Sequence, residues 1–398
     1  MASIESRGGG SWRITISNGY GPDGKKNRLQ RTVHVDPNKT ENSQRQEVKK
    51  LAAALEADFN RKLITAANRI TVENLSIEYL TNYVKRRGLA PRTVQSYKDL
   101  IDCKIIPYLG KIAVQDLTPK HINEFLVRLE KERHHGDKPL SGTYKLKFLQ
   151  QLHEMLKYAV RTGYISVNPA DLVEAPRRDT REAQFYELED CVKLLNALDQ
   201  FDDTQWNLFF TMSLFTAMRP GELIGLNWSD IEDHILTVRA GSVQLHGQKT
   251  VRTDRPKTKK SVRMIDLPAE VLTLLNKHKA EQAAYRLKFG KNWPEPDAVF
   301  TNDLGERLHN QVPAQHWNRF IKKYGLKHIP LYGLRHTAAT LMIAQNLNVR
   351  DVAARMGHAQ TSTTLNIYAH SFLDANSRAT EAITQALSEA RKASNGGQ

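Results

Sequence analysis

At 398 residues the chain is long for one hydrophobic core, and two or three domains are expected. Its apolar and charged fractions are ordinary, but 58 Lys and Arg against 43 Asp and Glu leave a net charge of +15, which points to a polyanion, nucleic acid before an acidic membrane surface. Two distant cysteines, Cys103 and Cys191, argue against a disulfide framework or a cysteine-rich metal site. There is no apolar run of membrane-spanning length and no apolar secretory segment at the N-terminus, so a soluble, cytoplasmic protein without a membrane partner is expected.

The first segment, 1–65, reads as a small module. Residues 11–17 alternate, with Trp12, Ile14 and Ile16 on one side and Arg13 and Thr15 on the other, as in a half-buried strand. Turn residues fill 18–24, ending on Lys25 and Lys26. A second strand over 29–35 carries Arg31, with Arg28 just before it, and a short one over 4–7 can pair as a third. Residues 41–63 are helical, with Val48, Leu51, Ala52, Leu55 and Phe59 as the apolar face. Such a sheet, backed by one helix, can present a basic face to a DNA groove. A solvated hairpin with incidental charges is the plainer alternative.

Segment 66–172 reads as all-helical. A helix over 72–87 ends at Gly88, and Pro91 opens another that runs to about Ile105, with Pro107 and Leu109-Gly110 closing it. Thr118 caps a third helix, with Pro119 in its first turn, and Ser141 caps a long fourth one to about Thr162. Lys85, Arg86, Arg87, Arg92, Lys98 and Lys104 gather in its first half, as a DNA-contacting face or merely a solvated one. Residues 173–184 are polar, basic and proline-containing, and read as a linker.

Segment 185–398 is mainly helical with a small antiparallel sheet. A helix over 206–218 is apolar nearly all round and must be buried; it ends on Arg219 at a Pro-Gly break. A short helix starts at Glu222, and strands over 235–245 and 262–267 flank a basic hairpin, 246–260. Helices follow over 269–287 and 311–324. In 331–370, Val349, Val352, Ala353 and Met356 form a core stripe, Asn348 is the N-cap, and Gly357 ends the helix. Thr361 or Ser362 caps the next helix, so His358 sits in the corner between the two. A last amphipathic helix, 374–392, carries Ala379, Ile383 and Leu387.

Several polar residues fit a purely structural role poorly. Arg219 has Glu222 three residues on, able to fix its fork; as a helix C-terminal charge it would instead offset the helix dipole. Arg335 is flanked by Tyr332 and His336. Two guanidiniums match the non-bridging oxygens of one phosphodiester. Lys257, in the hairpin, can place an ammonium beside a leaving oxygen, or be a solvated charge. His358 and Tyr368 complete the series; each alone is an ordinary structural residue.

Their order, Arg219 with Glu222, then Lys257, Arg335, His358 and Tyr368, carries a resemblance. The local text is Ala217-Met218-Arg219-Pro220-Gly221-Glu222-Leu223, Leu334-Arg335-His336-Thr337, Met356-Gly357-His358 and Thr364-Leu365-Asn366-Ile367-Tyr368. His358 follows Arg335 by 23 residues and Tyr368 follows His358 by 10. The set resembles the tyrosine recombinases, in their phage integrase branch. The resemblance implies an α+β multidomain chain: an arm-type DNA-binding domain (1–65), an all-α core DNA-binding domain (66–172), a linker, and a mainly α catalytic domain (185–398) whose last helix docks onto a neighbouring protomer or packs on its own domain. It implies Tyr368 as nucleophile, Arg219 and Arg335 as charge stabilisers, His358 as a hydrogen-bond donor, Lys257 as general acid and Glu222 as support, with no cofactor and no metal. Expected DNA contacts are Arg13, Lys25, Lys26, Arg28, Arg31, Arg87, Arg92 and Lys98. Expected partners are double-stranded DNA at core and arm sites, three further protomers, an excisionase and a host DNA-bending protein. One position departs: Tyr332 stands where the family usually has a histidine, and a phenol with a pKa near ~10 is a poor base. His336, a helical neighbour of Arg335, points elsewhere and is assigned to support. Type IB topoisomerase activity and a catalytically impaired DNA-binding protein are the alternatives.

Overall fold

The computed structural model describes residues 2–20, 26–67, 69–134, 138–179, 183–253, 262–358, 360–362, 365 and 384. The segments carrying Lys25, Lys257 and Tyr368 lie outside these residues, as does the expected last helix apart from Thr384, and the side chains of Lys26 and Phe59 are not described. The chain divides into two compact units, Met1–Thr180 and Arg181–Gln398. Together they give an α+β multidomain fold, mostly helical with small antiparallel sheets.

In the first unit β1 (Ala2–Ser6), β2 (Ser11–Tyr20) and β3 (Lys26–His34) form an antiparallel sheet in that order. Trp12, Ile14 and Ile16 face inward and are buried against α1 (Glu41–Ala67), where Val48 and Ala52 meet them. Leu51, expected on the same face, is 42 % exposed, because so narrow a sheet covers only the central stripe of the helix. Trp12 Nε1–H donates to buried Gln44, whose amide donates to the carbonyls of Asp36 and Lys39, which fixes the start of the helix on the sheet. The strands run further into the glycine-rich stretch than its turn composition suggests, with a register shift between Ser17 and Tyr20.

The same unit continues with α2 (Val72–Glu78), whose cap Thr71 accepts from the Asn74 N–H. The helix runs on through a π-helical turn at Tyr79–Val84. The next helix, α3 (Pro91–Leu100), passes through another π-helical turn, Ile101–Ile105, into α4 (Ile106–Leu109). Pro107 therefore does not end the helix near Ile105; the helix runs on to Leu109, and Gly110 caps it. The Ile106 N–H reaches back to the Ile101 carbonyl, and Pro107 falls in the first turn of α4, where its missing N–H costs least. Next come α5 (Pro119–Lys131), with the Thr118 cap, the short strands β4 (Arg133–His134) and β5 (Lys138–Pro139), and α6 (Gly142–Arg161), capped by Ser141. Tyr79, Ile101, Phe125, Phe148, Leu152 and Leu156 are at the centre of one core.

The second unit opens with α7 (Leu188–Asp199), α8 (Thr204–Thr216) and α9 (Pro220–Ile224). The strands β6 (Ile231–Glu232), β7 (Ile235–Val238), β8 (Gly241–Val243), β9 (Val251–Thr253) and β10 (Arg263–Asp266) follow. The chain then forms α10 (Ala269–Phe289), α11 (Val312–Lys323), α12 (Gly333–Ala344) and α13 (Val349–Met356). As its sequence demands, α8 is buried nearly all round, with Phe209, Phe210 and Met212 in the main core. The strand expected over 235–245 is two strands: β7 pairs with β6 and β10, and β8 pairs with β9. Between them Arg239 turns its Nε to buried Asp230 at 2.9 Å, which Arg252 of β9 also grips. That ion cluster and the close approach of Gly225 to Gly241 hold the β8–β9 hairpin against α9. Among the described residues no helix is long and apolar enough to cross a membrane.

Candidate active site

The site begins where α8 stops. Thr216 is its last residue, and Ala217 turns left-handed at φ 53°. A non-glycine residue there costs about 1–2 kcal/mol. Burial of Ala217 among Ala338, Ala339, Ile343, Val352 and Met356 holds it, and its carbonyl is thereby turned toward α12. Arg219 is consequently not the end of α8; it is the N-cap residue of α9. Its backbone N–H donates to Glu222 Oε2 at 3.0 Å and its Nη1 to Glu222 Oε1 at 2.8 Å.

Arg335 lies in the first turn of α12 and is only 1 % exposed. Burying a guanidinium costs several kcal/mol unless it is well bonded. Two carbonyls offset this: Nη1 donates to Ala217 and Nη2 to Met356. Bonds to a charged group contribute roughly 1.5–3 kcal/mol each, so the two effects are comparable in size. Burial first, and Arg219 second, bring the Arg335 pKa down to about 10, which leaves it charged at neutral pH. Its Nε has no hydrogen-bond partner among the described residues.

Helix α13 runs from the Asn348 cap to Gly357, which is left-handed at φ 65°. Its last carbonyls would be orphans. Three guanidiniums from three elements take them in succession: Arg263 Nε on Arg355 at 2.8 Å, Arg335 on Met356, and Arg219 Nη2 on Gly357 at 3.4 Å. The cations also complement the negative end of the helix dipole. The corner carrying His358 is thus fixed by arginines, and the His358 N–H closes it by donating to Ala353 at 3.0 Å. Thr361 and Ser362, expected as caps, are already helical.

The electrostatics follow from this packing. Burial raises the Glu222 carboxyl, but the hydrogen bond and charge of Arg263, with help from Arg219, bring it below the usual carboxylate range. His358 is pushed down to about 4, by burial and then by Arg335 and Arg219, so it is a neutral imidazole at pH 7. Burial and Arg335 lower His336 as well. Its ring packs edge-on against Tyr332 at 5.1 Å, and Tyr332 is 40 % exposed. Three guanidiniums around one carboxylate leave a local excess of two positive charges, which suits a phosphodiester. A cavity of about 560 Å³ elsewhere in the unit is lined by Asp202, Asp203, Glu281 and Asp303 and shares no residue with the cluster. Its acidic wall would repel such a ligand.

The structure therefore brings together Arg219, Glu222, Arg335 and His358, with Tyr332 and His336 beside them. Sequence reasoning missed Arg263. The signal was its phase: Arg263 alternates with Ile265 on the buried face of β10, while Met264 is turned outward. Among the expected DNA contacts, Arg87, Arg92 and Lys98 are exposed, and Arg87 lies over the Tyr83 ring at 5.4 Å. Lys104 is engaged by Glu132. In the sheet, Arg28 faces outward opposite Ser17, as does Arg13 opposite Thr32, whereas Arg31 is opposite Ile14 on the inner face. It stays exposed because α1 packs mainly on β1 and β2, and on β3 only Leu29 and Val33 join the core.

The phage integrase family model matches residues 184–374, and the phage integrase N-terminal SAM-like domain matches residues 71–129. The chain belongs to the phage integrase family of tyrosine recombinases. This tyrosine recombinase is 25 % identical over 372 residues to the ICEBs1 integrase of Bacillus subtilis (strain 168), covering 92 % of this chain and 95 % of that one. A Tn1549 transposon integrase solved with a circular intermediate DNA matches with a TM-score of 0.64 at 20 % identity, over 79 % of this chain and 99 % of the other. A lambda integrase tetramer bound to a Holliday junction matches with a TM-score of 0.55 at 17 % identity, over 90 % and 96 %. The structural likenesses carry the fold, and the family carries the class of activity, tyrosine-type site-specific recombination.

Proposed function

We propose that this recombinase cuts and rejoins double-stranded DNA through a 3′-phosphotyrosyl link on Tyr368, and so integrates and excises a mobile element such as a prophage. The observation that carries the reading is the arrangement of Arg219 and Arg335 around the His358 corner, with the Arg335 Nε buried and without a partner among the described residues. Tyr368 Oη attacks phosphorus, and the bond to the 5′-oxygen breaks. Lys257 gives that oxygen its proton. The two guanidiniums bind the non-bridging oxygens as charge grows on them, and the neutral His358 adds one N–H. The phenolic proton passes to a neutral imidazole, a requirement that His336 and His358 both meet. Tyr332 orients the phosphate through its hydroxyl. The energy of the broken ester stays in the tyrosyl link, and its reversal joins the new strand.

In this reading residues 1–65 hold arm sites, 66–172 hold the core site, and 173–184 link the latter to 185–398, which cut. Arg13, Lys25, Lys26, Arg28, Arg31, Arg87, Arg92 and Lys98 bind phosphates. Four protomers act on two sites in the bacterial cytoplasm, at the nucleoid. The last helix docks on a neighbour, and an excisionase and a host DNA-bending protein set direction. The solved DNA complexes of related integrases support the DNA partner, and the lambda tetramer on a Holliday junction supports the assembly. The test is a core-site duplex nicked near the scissile phosphate. A covalent adduct is expected with the natural chain and none with Tyr368→Phe. Absence of an adduct with the natural chain on its cognate site overturns the reading, and strand joining between two sites separates a recombinase from a topoisomerase.

A further inference from the structure

We propose that Arg263 is a positioning residue for strand cleavage, which sets the fork of Arg219 through Glu222 and the His358 corner through the end of α13. The inference rests on the phosphotyrosyl reading above and adds a residue to it. Arg263 is the first residue of β10, six residues after Lys257 in the sequence. Its side chain is 7 % exposed, and its donors are committed inward. Nη2 donates to Glu222 Oε2 at 2.7 Å, Nη1 to Glu222 Oε1 at 3.4 Å, and Nε to the Arg355 carbonyl at 2.8 Å.

Glu222 consequently accepts from two sides. Each of its oxygens receives one donor from Arg263 and one from Arg219. The carboxylate cannot turn without losing bonds to both. With the carboxylate fixed, Arg219 Nη1 is fixed, and its remaining terminal nitrogen points to Gly357. Arg263 also lies against Gly357, where a Cβ would come within 2.7 Å of its Nη1. One guanidinium thus touches both neighbours of the reacting groups without itself facing the phosphate. An apolar residue in phase with Ile265 would fill the same place with no ion to desolvate, and such replacements are often neutral for stability. What the arginine adds is direction, not cohesion.

The test compares the full-length natural chain with Arg263→Gln, Arg263→Lys, Glu222→Gln and the Arg263→Gln/Glu222→Gln pair. Single-turnover adduct formation on the nicked core site is measured beside core-site affinity and melting. Arg263→Gln is expected to slow the adduct ~100-fold, the scale set by misplacing a reacting group by about 1 Å. Affinity should stay within a few-fold, and lysine, which keeps the charge and loses the fork, should recover part of the rate. The pair should be slower than Glu222→Gln alone by much less than the Arg263→Gln factor, because the two changes share one carboxylate and only the α13 contact is separate. With Arg263 gone, burial raises the Glu222 carboxyl, so the variant's deficit relative to the natural chain should shrink as pH rises. Should the glutamine variant not fold, the lysine variant decides, at ~10-fold slower cleavage. Natural-rate cleavage by a folded variant, multiplicative effects at the two positions, or a fall in cleavage matched by equal losses of affinity and melting each overturn the inference. If the natural chain itself forms no adduct, the phosphotyrosyl reading fails and this inference falls with it.

Discussion

Arginine is used in two ways in this chain. In the N-terminal sheet, Arg28 and Arg31 are exposed, and Arg13 is half-buried on the outward face. In the second unit, Arg263 and Arg335 are buried, and their donors are aimed at carbonyls and a carboxylate. A surface guanidinium attracts phosphate by charge, weakly and at many angles, and salt screens it. A buried one offers a fixed direction in a medium of lower polarity, which is what stabilising a transition state needs. The first kind should govern affinity and the second rate.

Arg335→Gln should give the widest separation. It removes the charge but keeps a side chain able to reach one of the two carbonyls. Losing one transition-state donor costs about 10²–10³ in rate, and a charged, forked one belongs at or above the top of that range. Adduct formation should fall by ~10³ while core-site affinity changes by only a few-fold. Equal losses in both would place Arg335 with the surface arginines. Arg335→Lys should fall between, since charge without the fork cannot span Ala217 and Met356.

Gly357→Ala comes next, and acts through backbone. A φ of 65° disfavours alanine by about 1–2 kcal/mol, and the added Cβ would press on Arg263 Nη1. Cleavage should drop ~10–100-fold with the His358 corner displaced. Melting should fall by about 2–8 °C for a unit of this size, and affinity should hold. A variant that melts lower yet cleaves normally would show that the corner tolerates movement.

Much of this site was legible because its parts are local. The Asn348 cap, the Val349-Val352-Ala353-Met356 stripe and Gly357 fix where His358 sits before any tertiary contact is considered. The inward Trp12, Ile14 and Ile16 follow from period two, and the burial of α8 from its composition. What was not legible depends on partners distant in sequence. Ala217 leaves the helix early because α12 and α13 enclose it, so Arg219 could not be assigned to α9 from its neighbours alone. The break of β7 from β8 needs Asp230 to draw Arg239 aside. Pro107 misled because a π-helical turn absorbs it. Arg263 looked like one more charge in a basic stretch; its phase with Ile265 was the one sequence signal, and its pairing opposite Val238 shows that this phase faces inward.

A smaller effect concerns protons. The folded pKa of His358, about 4, lies below the unfolded value near ~6.5. Between these values the unfolded chain binds a proton that the folded one does not, so this contribution to stability is present above pH ~6.5 and lost as pH falls toward 4. Half-exposure of the ring moderates it, and His278, His316 and His336 share the direction. A bound phosphate works the other way, favouring protonated His358. Core-site affinity should therefore rise a few-fold from pH 6 to pH 5, toward the free pKa of about 4, with proton uptake measurable by calorimetry in buffers of different ionisation heat. His358→Asn should flatten that rise. An unchanged slope would remove His358 from the phosphate's surroundings.

The surface arginines should give the smallest effects per residue and the cleanest opposite signature. Arg28→Ala is the best single choice, because Arg28 is exposed and faces outward opposite Ser17. Each phosphate contact removed should lower the slope of log affinity against log salt by about 0.9, with a loss of a few-fold near 0.15 M. The loss should appear on arm-type DNA and shrink as salt rises, while adduct formation on the core site is unchanged. Arg31→Ala tests the geometry more sharply. Arg31 sits on the inner face of an edge strand, opposite Ile14, so it cannot lie on the same DNA surface as Arg13 and Arg28 unless the strand's edge, rather than its outer face, meets the backbone. If Arg31→Ala changes the slope as much as Arg28→Ala, the sheet enters DNA edge-on. If only Arg28→Ala and Arg13→Ala do so, the outer face is the contact surface.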